Sequence, residues 1–259
     1  MKAFDHQSGQ YLAIGDARIY YEVAGTSGKP ILLVMHGGFG TLEDMSAIYP
    51  ELYRAFTLVG IDSRGHGKST LGTQDLTYER LQKDAELVLQ HLNIEILSIL
   101  GFSDGGIAAY RLAAFSNLKI QKLVTIGSSW HNKNRESNRP LYERLTAKSW
   151  ADKFPATVQL YNKLNPEADF EKLASAVKKM WIDNTSSGHP NEHISKYTGP
   201  LLISRGDKDH LTKLTDVAEL EGIVKNASVF IIPMAAHDAF NEQPDLVSAG
   251  IRQFLKADS

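Results

Sequence analysis

Gly101-Phe102-Ser103-Asp104-Gly105 stands between an apolar, strand-like run, Ile94 to Leu100, and a small-residue helical run, Gly106 to Ala114. A chain that turns from strand into helix at one serine leaves no room for side chains two positions to either side, and glycine fits there. Such a turn holds the serine in a strained backbone conformation and lifts its hydroxyl above the end of a sheet. It also points a helix N-terminus at whatever reacts there. The stretch therefore predicts a strand-serine-helix junction that presents Ser103 as a nucleophile.

On either side of this junction, short apolar runs alternate with longer amphipathic ones, the pattern of a mostly parallel sheet with helices on both faces. Gln10 to Gly15 and Arg18 to Ala24 flank a tight turn and predict an opening antiparallel hairpin. Pro30 to Met35 ends in His36-Gly37-Gly38, and Phe56 to Ile61 ends in Asp62-Ser63-Arg64-Gly65-His66-Gly67; both predict buried parallel strands. Ile120 to Ile126, Pro200 to Ser204 and Ser228 to Pro233 supply further strands, and Leu76 to His91, Leu214 to Val224 and Pro244 to Leu255 supply helices. The sum is an α/β sheet of about eight strands, six of them parallel.

Between Ser129 and Thr198, about 70 residues carry no strand pattern. Leu141 to Trp150, Ala156 to Leu164 and Phe170 to Ile182 are amphipathic, with Pro140, Pro155, Pro166 and Pro190 as breaks. This segment, 129–198, is expected to form a helical cap over a core domain made of 1–128 and 199–259. All three tryptophans, Trp130, Trp150 and Trp181, fall inside it, either packing it onto the core or roofing an apolar pocket.

Composition narrows the function classes. The chain has 259 residues, 42% of them hydrophobic, enough for a sizeable core. Its 28 Lys and Arg against 30 Asp and Glu leave a formal charge of −2, so neither nucleic acid nor an anionic membrane is the expected partner. There is no cysteine, which removes disulfides, thiolate metal sites and a cysteine nucleophile. The polar start, Met1 to Gln10, and the lack of a long apolar window predict a soluble, cytoplasmic protein with no membrane association. No metal site is expected: His189-x-x-x-His193 is not on a plausible helix and reads as closing the insertion onto the core, and His66 reads as a turn residue.

A serine hydroxyl is a weak nucleophile near neutral pH and needs a general base within hydrogen-bond reach. His237 is the best placed of nine histidines, in the short loop Met234-Ala235-Ala236-His237 that follows a strand. The base in turn needs an acid to fix its tautomer. Arg205-Gly206-Asp207-Lys208-Asp209 offers two carboxylates just past a strand's carboxyl end.

With these pieces in order the chain resembles the α/β-hydrolase family over nearly its whole length. The resemblance rests on His36-Gly37-Gly38, Asp62 to Ser69, the Ser103 turn, Gly206-x-x-Asp209, and Ala236-His237 followed by Glu242-x-Pro244. The order Ser, Asp, His is the one that family uses. It implies Ser103 as nucleophile, His237 as base and Asp209, three residues after the glycine, as orienting acid. It also implies that His36 braces its loop, and that the oxyanion is held by the Asp104 amide and by that of Gly38 or Phe39. The implied activity is a carboxylesterase-like serine hydrolase (EC 3.1.1) acting without a cofactor on small esters or amides through an acyl-enzyme. Lactone opening, carbon–carbon cleavage and perhydrolysis could use the same triad, and a non-catalytic ligand receptor could keep the fold.

Asp104 poses a separate problem. A carboxylate about 6 Å from the oxyanion, at an effective dielectric near 20, repels it by about 3 kcal/mol, as much as one amide donor contributes. It must therefore point away, be screened, or be neutralised by a cation. One reading sets it along the helix N-terminus. The other has it bind a substrate ammonium, as in amino-ester hydrolases, similar members of the family with Ser-Asp-Gly-Gly at this turn.

Overall fold

The structure, a computed structural model, describes residues 2–256. Its eight strands are β1 (Gln10–Ile14), β2 (Ala17–Gly25), β3 (Ile31–Met35), β4 (Thr57–Ile61), β5 (Ile96–Phe102), β6 (Lys119–Ile126), β7 (Leu201–Gly206) and β8 (Ala227–Ile232). They form one sheet in the order β1-β2-β4-β3-β5-β6-β7-β8. β1 and β2 form the hairpin, closed by Gly15 at a φ of +62° with Ile14 opposite Ala17, and β2 runs antiparallel to β4. From β4 to β8 every pairing is parallel.

The pleat divides the core in two. Leu33, Val59, Ile99, Leu123 and Ile203 point to one face, which is covered by the helices Tyr78–His91, Asp104–Phe115 and Leu214–Ile223. Leu32, Leu58, Leu100, Val124 and Leu202 point to the other, covered by Tyr49–Ala55 and Pro244–Lys256. Both faces are apolar, so these strands read as continuous hydrophobic runs rather than alternating ones. No helix among the described residues is long and apolar enough to cross a membrane.

Between β6 and β7 the chain is helical: Arg139–Glu143, Ala147–Lys153, Pro155–Leu164 and Phe170–Trp181, with 3-10 turns at Asn132–Asn138 and Asn191–Lys196. The single helix expected over 141–150 is two. Thr146 and Ser149 exchange side-chain-to-amide hydrogen bonds of 3.0 Å, a capping box that starts a new helix and ends the earlier one. The segment is tied to the sheet by Asn165, which donates to the carbonyls of Gly67 and Ser69, and by Arg111, which donates to those of Ser186 and Gly188. His189 is buried against Tyr78 and His193 lies on Phe115, so both close the segment onto core helices.

Candidate active site

β5 delivers Ser103 at the centre of the sheet's carboxyl edge. Its φ of 50° and ψ of −116° are a conformation that costs a non-glycine residue about 1–3 kcal/mol. Close packing holds it there. A Cβ on Gly101 would lie 2.6 Å from the Gly106 Cα, and one on Gly105 would lie 2.3 Å from the Met35 carbonyl oxygen. The Ser103 amide donates to the Ile126 carbonyl of β6, and its own carbonyl accepts the amides of Gly106 and Ile107, starting the following helix.

The side chains predicted from sequence meet here. His237 Nε2 is 3.0 Å from Ser103 Oγ, and His237 Nδ1 is 2.9 Å from Asp209 Oδ2. Asp209 Oδ1 accepts the amides of Leu211 and Thr212. Burial alone would raise the Asp209 pKa, but the hydrogen bond and charge of His237 and these two amides outweigh it and hold the carboxyl below its usual value. Asp207 lies elsewhere in the same turn and accepts the Ala235 amide at 3.1 Å. Glu242 accepts the Ala236 amide at 3.1 Å, so the loop carrying His237 is pinned on both sides. Gly127, at a φ of +59°, keeps open the space beside His237 and Asp209; a Cβ there would be 3.0 Å from the imidazole.

The loop after β3 crosses directly over this turn. A Cβ on Gly37 would be 3.2 Å from the Ser103 Cβ, and one on Gly38 would be 2.6 Å from an Asp104 carboxylate oxygen. Phe39 follows at a φ of 60°, with Gly40 donating back to Gly37. His36 braces the loop: its Nε2 accepts the Ser63 amide, which leaves Nδ1 to donate to the Gly37 carbonyl. Burial, and His66 beside it, push its pKa down to about 4, so it is neutral. Arg64 is turned away into a bidentate pair with Asp84.

Asp104 is buried, and its carboxylate is fully engaged. Oδ1 accepts the Tyr78 hydroxyl at 2.7 Å and Arg135 Nη2 at 3.1 Å, and Oδ2 accepts Trp181 Nε1 at 2.6 Å. The neutralising cation required by the charge argument is thus Arg135, from the first turn of the helical segment. A substrate ammonium, the ligand considered for Asp104 from sequence, would have to displace that guanidinium. Arg135 carried no signal in a polar run with neither periodicity nor motif.

Two cavities adjoin the site. One of about 30 Å³ is lined by Ser103, His237, Arg135, Tyr142, Trp181 and Leu211 among others. The second, of about 260 Å³, lies past Phe102 and the Gly38–Phe39 loop, against Trp150, Tyr161 and Asp238. Of the three tryptophans, Trp150 and Trp181 therefore line cavities, and Trp130 is buried with its Nε1 donating to the Asp216 carbonyl.

Known proteins share this fold. The model of the alpha/beta hydrolase fold matches residues 30–172. The chain is 27% identical to the serine hydrolase BPHL of Mus musculus over 95% of its own length and 85% of that protein's. It is 26% identical to the esterase YbfF of Escherichia coli over 88% and 93%. The crystal structure of a hydrolase from Pseudomonas aeruginosa superposes with a TM-score of 0.80 at 22% identity, covering 98% of this chain and 100% of that one. The matched family model spans more than half of the 259 residues, and the chain belongs to the α/β hydrolase fold family.

Proposed function

We propose that the protein is a serine hydrolase of small carboxylic esters or amides that works through an acyl-enzyme. The observation that carries this reading is the unbroken hydrogen-bonded chain from Ser103 through His237 to Asp209. Ser103 Oγ forms the bond to the carbonyl carbon while His237 Nε2 takes its proton. Asp209 holds the tautomer with hydrogen on Nδ1 and stabilises the imidazolium that results. The oxyanion is received by the Asp104 amide and by that of Gly38 or Phe39, each worth about 2.7–4 kcal/mol of activation free energy. As the bond to the leaving group breaks, His237 returns the proton to it; water then enters by the same route and releases the acid.

The helical segment serves as a cap that shapes the substrate space and excludes water. Asp104 belongs to the scaffold in this reading, its carboxylate given to Arg135, so no preference for amino-acid esters follows from it. Relatives called serine hydrolase and esterase favour the same chemistry. The test is labelling by a fluorophosphonate probe, read by intact mass. Stoichiometric labelling of the wild type and none of Ser103→Ala is expected. An intact protein that does not label refutes the reading and leaves a ligand receptor in its place.

A further inference from the structure

We infer that the acyl half of the substrate is limited to about the size of an acetyl group, and that Asp104 sets this limit by locking the walls around Ser103. The inference rests on the acyl-enzyme reading above. In an acyl-enzyme the carbonyl carbon is bonded to Ser103 Oγ, so the group it carries must lie in the cavity that Ser103 itself lines. That cavity is small, about 30 Å³ against about 260 Å³ for its neighbour, room for one or two waters or for a methyl group. The larger cavity of about 260 Å³ is lined by Phe102 rather than Ser103 and suits the leaving group.

The Arg135, Tyr142 and Trp181 walls of the small cavity cannot shift one at a time, because they are joined. Arg135 and Trp181 both donate to the Asp104 carboxylate. The guanidinium lies between the rings of Tyr78 and Tyr142, 5.6 and 5.2 Å from their centroids, and Tyr142 packs on Trp181 at 5.2 Å. Admitting a longer chain would break a buried, charge-assisted hydrogen bond. The acid that follows the nucleophile is, on this view, a strut, and its product is acyl-chain selectivity.

The experiment measures kcat/KM for p-nitrophenyl acetate, butyrate and hexanoate, with fluorophosphonate labelling in parallel. Overpacking of this kind predicts a fall of about 10-fold from acetate to butyrate and on the order of 100-fold to hexanoate. Leu211→Ala, on the partly exposed loop wall, and Tyr142→Ala should each raise the butyrate-to-acetate ratio by about 10-fold. The ratio is independent of the fraction of folded enzyme. A flat or rising profile in the wild type overturns the inference, as do variants that leave the ratio unchanged. Labelling with a flat profile removes this inference alone. No turnover of any ester and no labelling removes the hydrolase reading, and this inference with it.

Discussion

Replacing Asp104 by asparagine keeps the shape of the side chain and removes what the three groups around it require. Tyr78, Arg135 and Trp181 all donate, and an amide has one accepting oxygen, so its NH2 must face at least one donor. Asp104 and Arg135 have side chains only 4% and 10% exposed, so the guanidinium is left buried without its counter-charge. Breaking such a pair from one side costs about 3–5 kcal/mol. In a protein of this size that lowers the melting temperature by roughly 10 °C. Urea and thermal unfolding of Asp104→Asn, Arg135→Met and the double variant form the assay. The double variant should recover at least half of the Asp104→Asn loss, because it removes the orphaned charge together with its partner. An Asp104→Asn protein within about 1 kcal/mol of wild type refutes the strut. Kinetics supply a second arm: neutral and amino-acid esters of equal size should lose kcat/KM by the same factor. A loss confined to amino-acid esters would return the carboxylate to substrate binding.

Three further outcomes are expected. His6 is held by Asp62 and Glu43; burial alone would lower its pKa, but these carboxylates outweigh it and raise it to about 9, against about 6.5 in the unfolded chain. A raised pKa means stability that is complete below about pH 6.5 and lost as pH rises through 9, at most about 3 kcal/mol. Urea unfolding at pH 6 and pH 9.5 should therefore show a gap between wild type and His6→Gln that closes at the higher pH, and a constant gap contradicts the assignment. Gly105→Ala puts a Cβ 2.3 and 2.5 Å from the Met35 and His36 carbonyl oxygens, backbone atoms that cannot yield, and should cost about 3 kcal/mol or more. Gly222→Ala meets nothing within 4 Å and should be neutral or slightly stabilising by the same melting measurement.

The parallel strands were legible because each is buried on both faces, which leaves an unbroken apolar run in the sequence. The helix Tyr49–Ala55 leaves little trace in the sequence beyond Pro50 in its first turn, which marks a helix start. Its apolar residues are few and its length is two turns, too short for periodicity to register. The split at Arg144 to Thr146 is hidden for a related reason: the apolar period runs straight through the Thr146 and Ser149 pair that starts the new helix.

Sequence alone determined the junction at Ser103 and the order of the serine, the acids and the histidine along the chain. The junction follows steric rules that act over a few positions, glycine where a turn leaves no room and a polar residue where a strand ends, and the order is read directly along the chain. Tertiary structure decided the rest. A single residue, Lys208, separates Asp207 from Asp209, and the pairing of β7 with β8 turns one to the Ala235 amide and the other to His237. The charge argument required a cation for Asp104, but Arg135, 31 positions away, becomes that cation only when the helical segment folds back over the sheet. The size of the cavity at Ser103 is set in the same way. Charge compensation and enclosed volume are properties of surfaces that meet in space, and no local pattern records which surfaces those are.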